Sequence, residues 1–139
     1  MEYTVRILNS GDAYVLDNVA SGVFDNDVDQ ELTVEFLTDA RHHLAIALDG
    51  DVVVGIASAV HYIHPDKEPE LWINEVGITS THRRQGIGKK LINALFDHGR
   101  ELGCGTAWVL TERDNEVARR LYGAMGGTEK SQVMVEFSL

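Results

Sequence analysis

The sequence has few of the residues that staple, chelate or span. It carries one cysteine in 139 residues, which excludes an internal disulfide and a cysteine-built metal site. That residue, Cys104, lies between Gly103 and Gly105, where a small semi-buried thiol is the simplest reading; a nucleophile would need a histidine brought from elsewhere. The six histidines form no HExxH pattern, and His61-x-x-His64 runs into the loop at Pro65, so no metal is expected. Nothing approaches the roughly 18 apolar residues of a membrane span, and MEYTVRILNSGD lacks the charged-then-apolar pattern of a signal segment. No membrane partner and a cytoplasmic setting are therefore expected. Positive charge is also scarce: 12 Lys and Arg against 22 Asp and Glu give a net charge of -10, which argues against a nucleic-acid partner.

What the chain does have is a core. Its 44% hydrophobic content suits one domain over residues 1–139, with no repeat or linker. Strand patterns fall on Tyr3–Leu8, His43–Leu48, Val52–Val60, Leu71–Ile78, Thr106–Leu110 and Val133–Phe137, and Asp49-Gly50-Asp51 makes a hairpin turn. Helical spacing follows Ser10 over 11–19, then Asp29, then Gly88 as far as Leu102, and finally Asn115 as far as Met125. The order β-α-α-β-β-β-α-β-α-β predicts an α/β or α+β layer with a mixed sheet.

The stretch from Glu75 to Leu102 organises the rest. An apolar strand ends at Ile78, a basic glycine turn comes next, and an amphipathic helix begins with Leu91, Ile92, Leu95 and Phe96 on one face. The first N–H groups of a helix lack intrahelical partners and sit at the positive end of its dipole, so they attract phosphate. Gly86 and Gly88 remove side chains from the approach, while Arg83, Arg84 and Lys89 add charge. A pyrophosphate cradle is the expectation, against the plainer reading of a solvated glycine-rich connection. Gly86-Ile87-Gly88-Lys89-Lys90 is not a Walker loop, and Leu91 breaks the dinucleotide pattern.

Arg83-Arg84-Gln85-Gly86-Ile87-Gly88, standing after a strand, resembles the acyl-CoA signature of the GNAT superfamily of N-acetyltransferases. Asn115-x-x-Ala118-x-x-Leu121-Tyr122, before Gly126, resembles the segment that comes after the fifth strand in that family. The resemblance spans nearly the whole chain and implies the GNAT fold: a mostly antiparallel sheet of about six or seven strands flanked by about four helices. It implies acetyl-CoA held by Val76, Gly77, Ile78, Arg83, Arg84, Gln85, Gly86, Ile87, Gly88, Lys89, Asn115, Ala118 and Tyr122. It also implies direct transfer to an amine in a ternary complex, and a homodimer.

Within that family Tyr122 is the expected proton donor to the leaving thiolate, although its spacing also fits a core aromatic. An amine attacks a thioester only when neutral, so a base is required. Glu75 is the candidate, on the alternating face of Leu71 and Ile73, where burial would raise its pKa; the other reading is an exposed charge at a bulge. Trp72 to Ile78 followed by His82 to Gly88, with Phe24-Asp25 upstream, is similar to small aminoglycoside 3-N-acetyltransferases. That likeness implies an acceptor site at Phe24, Asp25, Asp27 and Glu75 and a small cationic amine as substrate, an aminoglycoside first, with antibiotic resistance as its setting. The acidic segment around Asp25 and Asp27 agrees, although acidic surfaces often only solubilise. A protein or peptide N-acetyltransferase and a non-catalytic acetyl-CoA-binding module are the alternatives.

Overall fold

The computed structural model describes residues 2–139. In chain order the elements are β1 (Thr4–Ile7), a 3-10 turn (Ala13–Asp17), α1 (Gln30–Thr38), β2 (His42–Asp49), β3 (Val52–Tyr62), β4 (Glu70–Ile78), a second 3-10 turn (Ser80–His82), α2 (Ile87–Glu101), β5 (Thr106–Val109) and α3 (Glu116–Ala124). Five strands form one sheet in the order β1-β2-β3-β4-β5. Its neighbours are antiparallel except the last pair, β4 and β5, which is parallel. This mixed, mostly antiparallel α+β sheet is the expected GNAT architecture.

Local chemistry explains most boundaries. Asp29 caps α1, its side chain accepting from the Leu32 N–H at 2.9 Å, and Gly50 turns the β2–β3 hairpin with φ of 64°. Two expectations change. The helix expected after Ser10 shrinks to a 3-10 turn because Asp12 organises this corner instead, its carboxylate accepting from the Asn9 N–H at 2.8 Å and from Arg6 at 3.1 Å. Val133–Phe137 forms no strand; no strand of the described residues pairs with it, and an isolated strand cannot satisfy its own backbone. Among the described residues the count is therefore five strands and three α-helices rather than about six or seven and about four.

The sheet has a core on each face. Helix α2 covers one, burying Ile87, Leu91, Ile92 and Leu95 to 1% exposure or less against Ala45, Ala57, Ala59, Leu71 and Ile73. Each such side chain contributes about 2 kcal/mol of transfer free energy, and the small alanines let the helix axis approach the sheet. On the other face Leu44, Ile46, Val53 and Ile56 meet Leu37 of α1 and Val15, Leu16 and Val23.

At the far end of α2 a chain of three imidazoles crosses from helix to sheet. His98 Nε2 lies 3.0 Å from His43 Nδ1, and His43 Nε2 lies 2.7 Å from His61 Nδ1. His43 is buried, and burial first, then the neighbouring His98 and His61, lowers its pKa to about 4. His61 is lowered too, by burial and then by Arg41 and His98. The unfolded chain therefore binds more protons than the folded one between pH 6.5 and about 4. Stability is complete above that window and declines as pH falls through it. Urea midpoints measured from pH 7 to pH 4 should show a loss on the order of 2 to 3 kcal/mol, and His43→Leu should flatten that slope.

Candidate active site

The site begins at a defect in the sheet. The β3–β4 register pairs Ser58 with Glu75 but Ala59 with Ile73, so Asn74 is an extra residue, a β-bulge. The parallel ladder to β5 stops at the same place, its last pair being Ile73 with Val109. Beyond it β4 continues to Ile78 with β3 on one side and, among the described residues, no strand on the other. The two strands part, and a cleft opens between them.

The bulge also resets every side chain after it, because faces alternate along a strand and one extra residue inverts the parity. Val76 and Ile78 now face α2 and join its core. Glu75, paired with Ser58, faces the other way, on the side of Trp72. The expectation that Glu75 shares the face of Leu71 and Ile73 is thus corrected. So is its burial, since Glu75 is exposed.

The backbone of this segment can be assigned as well. Thr79 N–H donates to Val54 C=O at 2.9 Å. Antiparallel pairing alternates, so Thr79, Gly77 and Glu75 bond toward β3, and the N–H and C=O groups of Val76 and Ile78 turn toward the cleft. Ile78 C=O agrees with this, accepting from Arg83 Nε at 3.4 Å. An acyl chain laid in the cleft would meet a row of ready donors and acceptors.

Past Ile78 the turn is tightly anchored. Thr79 is buried, its hydroxyl donating to Ser21 C=O at 2.8 Å. His82 is held by Asp49 and by the Thr81 hydroxyl, both at 2.8 Å, and the Tyr3 hydroxyl donates to Gln85 C=O at 3.2 Å. Arg84, with φ of 64°, is the one non-glycine in the left-handed region among the described residues, and Gly86 comes next there at 77°. Gly86 is the N-cap of α2 and offers no side chain to the helix N–H groups. The α1 and α3 starts are occupied by Asp29 and Asn115. Open space surrounds the place where a Gly86 Cβ would stand, and Arg83, Arg84 and Lys89 are exposed around it. A diphosphate fits this cradle in both charge and room.

Helix α3 completes the wall. A Cβ on Gly88 would lie 3.4 Å from both Ile78 Cδ1 and Leu121 Cδ2, so the start of α2, the end of β4 and α3 converge there. Tyr122 is half-buried beside them, and burial raises its phenol pKa, which keeps the proton on oxygen at neutral pH. Ala118, one turn earlier, is half-buried too. Asn115 spends its side-chain oxygen on the helix cap, accepting from the Ala118 N–H at 3.1 Å, so its amide nitrogen is the group left to face a ligand.

The acidic loop belongs to the Glu75 face. Gly77 sits so close to the Val23 carbonyl that any Cβ there would collide with it, and Phe24, next along, is half-buried. Asp25 and Asp27 lie just beyond and are exposed. Sequence reasoning missed the other wall: Trp72 and Trp108 stack with centroids 5.0 Å apart and planes 12° apart, and Tyr62 stands edge-on to both. Two tryptophans in a chain with only 7% aromatics were the signal for it, but their meeting depends on the β4–β5 pairing. Asn74, a polar residue in an apolar strand, was the corresponding signal for the bulge.

Residues 12–126 match the Acetyltransferase (GNAT) family. Over 88 residues the chain is 34% identical to the streptothricin acetyltransferase of Streptomyces lavendulae, a match that covers 63% of this chain and 44% of that protein. The chain spans less than half the length of the curated relatives it matches. Among solved structures, an aminoglycoside acetyltransferase from an uncultured soil metagenomic sample superposes with a TM-score of 0.85 at 20% identity, covering 100% of this chain and 99% of that one. An aminoglycoside N-acetyltransferase in complex with CoA gives a TM-score of 0.79 at 19% identity, over 99% and 95% of the two chains. These superpositions establish the fold. With the parted strands and the basic glycine turn both inside the matched span, the chain belongs to the acetyltransferase (GNAT) family.

Proposed function

We propose that this chain is an acetyl-CoA-dependent N-acetyltransferase, one domain over residues 1–139, that acetylates a primary amine of a small cationic substrate. The observation that carries this reading is the edge of β4 beyond Ile73, which no strand of the described residues covers, leading through a short turn into the uncapped N-terminus of α2. Acetyl-CoA, bound there, supplies an activated acetyl thioester. Arg83, Arg84, Gln85, Gly86, Ile87, Gly88 and Lys89 hold its diphosphate. Val76 and Ile78, with Gly77 between them, present main-chain groups to the pantetheine arm and to the oxygen on which charge develops. Asn115 and Ala118 border the arm from α3.

Glu75 takes the ammonium proton, directly or through water, from the open face of the strand. Tyr122, whose phenol stays protonated at neutral pH, hydrogen-bonds the leaving sulfur and acts as its proton donor. A phenolate is more basic than a thiolate, so Tyr122 then recovers the proton that the acetylated nitrogen loses. Both groups act on bound substrates together, which makes direct transfer in a ternary complex sufficient.

The acceptor half rests on charge and ring stacking. Asp25, Asp27 and Glu75 offer carboxylates to a polycation, and Phe24 together with the Trp72–Trp108 pair offers apolar faces that favour cationic rings. An aminoglycoside, acetylated at its 3-amino group, is the first acceptor to test. The streptothricin and aminoglycoside enzymes among the relatives support that class. A cytoplasmic homodimer conferring antibiotic resistance completes the reading. Release of CoA, measured across panels of aminoglycosides and peptides, separates this from peptide acetylation, and tight cofactor binding without turnover on any amine would reduce the chain to a binding module.

Gly86→Trp combined with Arg83→Ala should weaken acetyl-CoA binding by about a hundredfold or more in calorimetry, with circular dichroism unchanged; retained affinity removes the cradle. Tyr122→Phe should lower kcat about tenfold to a hundredfold with little change in cofactor affinity. Glu75→Gln should lose rate at neutral pH and recover it as pH rises and the free amine accumulates. A profile identical to that of the unaltered enzyme takes Glu75 out of the proton transfer.

A further inference from the structure

Just past the end of β4 stands a residue whose polar groups are each committed to a different part of the protein. Thr79 is buried, at 5% exposure. Its N–H donates to Val54 C=O at 2.9 Å, which fastens it to β3, and its C=O accepts from the His82 N–H at 3.0 Å, which fastens it to the basic turn. Its hydroxyl donates to Ser21 C=O at 2.8 Å and so reaches a segment 58 positions away. The first two bonds are made by main-chain groups and survive most substitutions. The third depends on a hydroxyl.

Ser21 opens the loop that carries Phe24, Asp25 and Asp27. Upstream, this segment is sewn to the start of β3: Ala20 N–H donates to Val53 C=O and Val53 N–H to Asn18 C=O, both at 2.9 Å. Gly22 then turns with φ of 80°, and Val23, buried, lays its carbonyl against Gly77. Downstream, the Asp29 carboxylate is spent on the cap of α1. Between Val23 and Asp29 only Phe24 is half-buried, while Asp25 and Asp27 are exposed. The placement of those two carboxylates is therefore set by the anchors at the ends of the loop.

We propose that Thr79 is a positioning residue for the acceptor amine: its hydroxyl holds the acidic loop against the donor strand and so fixes the amine-binding carboxylates relative to the thioester. This rests on the acetyltransferase reading above and adds a residue to it.

The argument is one of population. Ser21 is exposed, so water can take the place of the threonine hydroxyl at its carbonyl, and the loop loses its position while the core keeps its packing. A loop correctly placed for only part of the time weakens amine binding in proportion to that fraction. One neutral hydrogen bond shifts such an equilibrium about threefold to tenfold. The acetyl-CoA cradle is spared, because the bonds of Thr79 with Val54 and His82 run through its main chain.

Thr79→Val keeps the shape of the side chain and removes the hydroxyl; Thr79→Ser keeps the hydroxyl. Both are compared with the unaltered chain by CoA release against amine concentration, with the aminoglycoside that gives most release as the probe, and by calorimetry with acetyl-CoA. The expected result for T79V is an amine KM raised about threefold to tenfold, with kcat and acetyl-CoA affinity each within about twofold of the unaltered values. T79S returns the amine KM to its unaltered value. An unchanged amine KM in T79V, a loss confined to kcat, an acetyl-CoA affinity that falls as far as the amine's, or a T79S that behaves like T79V overturns the proposal.

Gly22→Val decides the question if T79V does not fold. Open space surrounds Gly22, yet a β-branched residue is strained at its positive φ, so the turn that aims the Ser21 carbonyl must shift. G22V should show the same rise in amine KM with acetyl-CoA affinity kept, and an unaltered amine KM overturns the proposal. Absence of CoA release by the unaltered chain with every amine is a different failure. It removes the acetyltransferase reading, and this inference with it, before any variant is compared.

Discussion

The site depends on the parting of two parallel strands. Parallel pairing between β4 and β5 lasts only from Glu70 to Ile73, and the inserted Asn74 ends it while leaving the antiparallel β3–β4 ladder to continue. From that one insertion come three effects. It frees the outer edge of Val76 and Ile78, it turns Glu75 to the face opposite α2, and it delivers the chain to the turn that starts α2. A sheet that stayed closed here would have a stronger ladder and no place for an acyl chain.

The second requirement is electrostatic. A chain of net charge -10 could hold a polyanion only where positive charge is gathered locally, and here it is gathered at a helix end where backbone dipoles contribute as well. Arg83, Arg84 and Lys89 are exposed, whereas the backbone beneath them is fixed by Thr79, His82 and Tyr3. The amides therefore set the geometry and the side chains set the attraction. The acidic loop at Asp25 and Asp27 lies on the opposite face of β4, held there by the contact of Val23 with Gly77. One short strand thus separates a basic turn from an acidic loop, the arrangement that the proposed transfer to a cationic amine would call for.

Much of this is written locally and could be read without coordinates. The glycine turn, the Asn115 cap, the hairpin at Gly50 and the helix after Asp29 each depend on residues within a few positions of one another. The features that escaped depended on distant pairing. Glu75 shares a face with Ile73 only if strict alternation is assumed, and the register with β3 is what reveals the extra residue. The Trp72–Trp108 stack joins residues of two strands with α2 between them in sequence. The imidazole chain joins β2, β3 and α2. The strand pattern at Val133–Phe137 is present in the letters, but a strand is a relation between segments, and none of the described strands pairs with it.

The hydrogen bond from Tyr3 to Gln85 and the stacking of Lys90 over the same ring at 4.9 Å tie the start of the first strand to the basic glycine turn that opens α2. A residue just ahead of the first strand therefore buttresses a turn 82 positions further along the chain. A tag or fusion joined just ahead of Tyr3 would therefore lie beside the basic turn at the start of α2, distant though the two are in sequence.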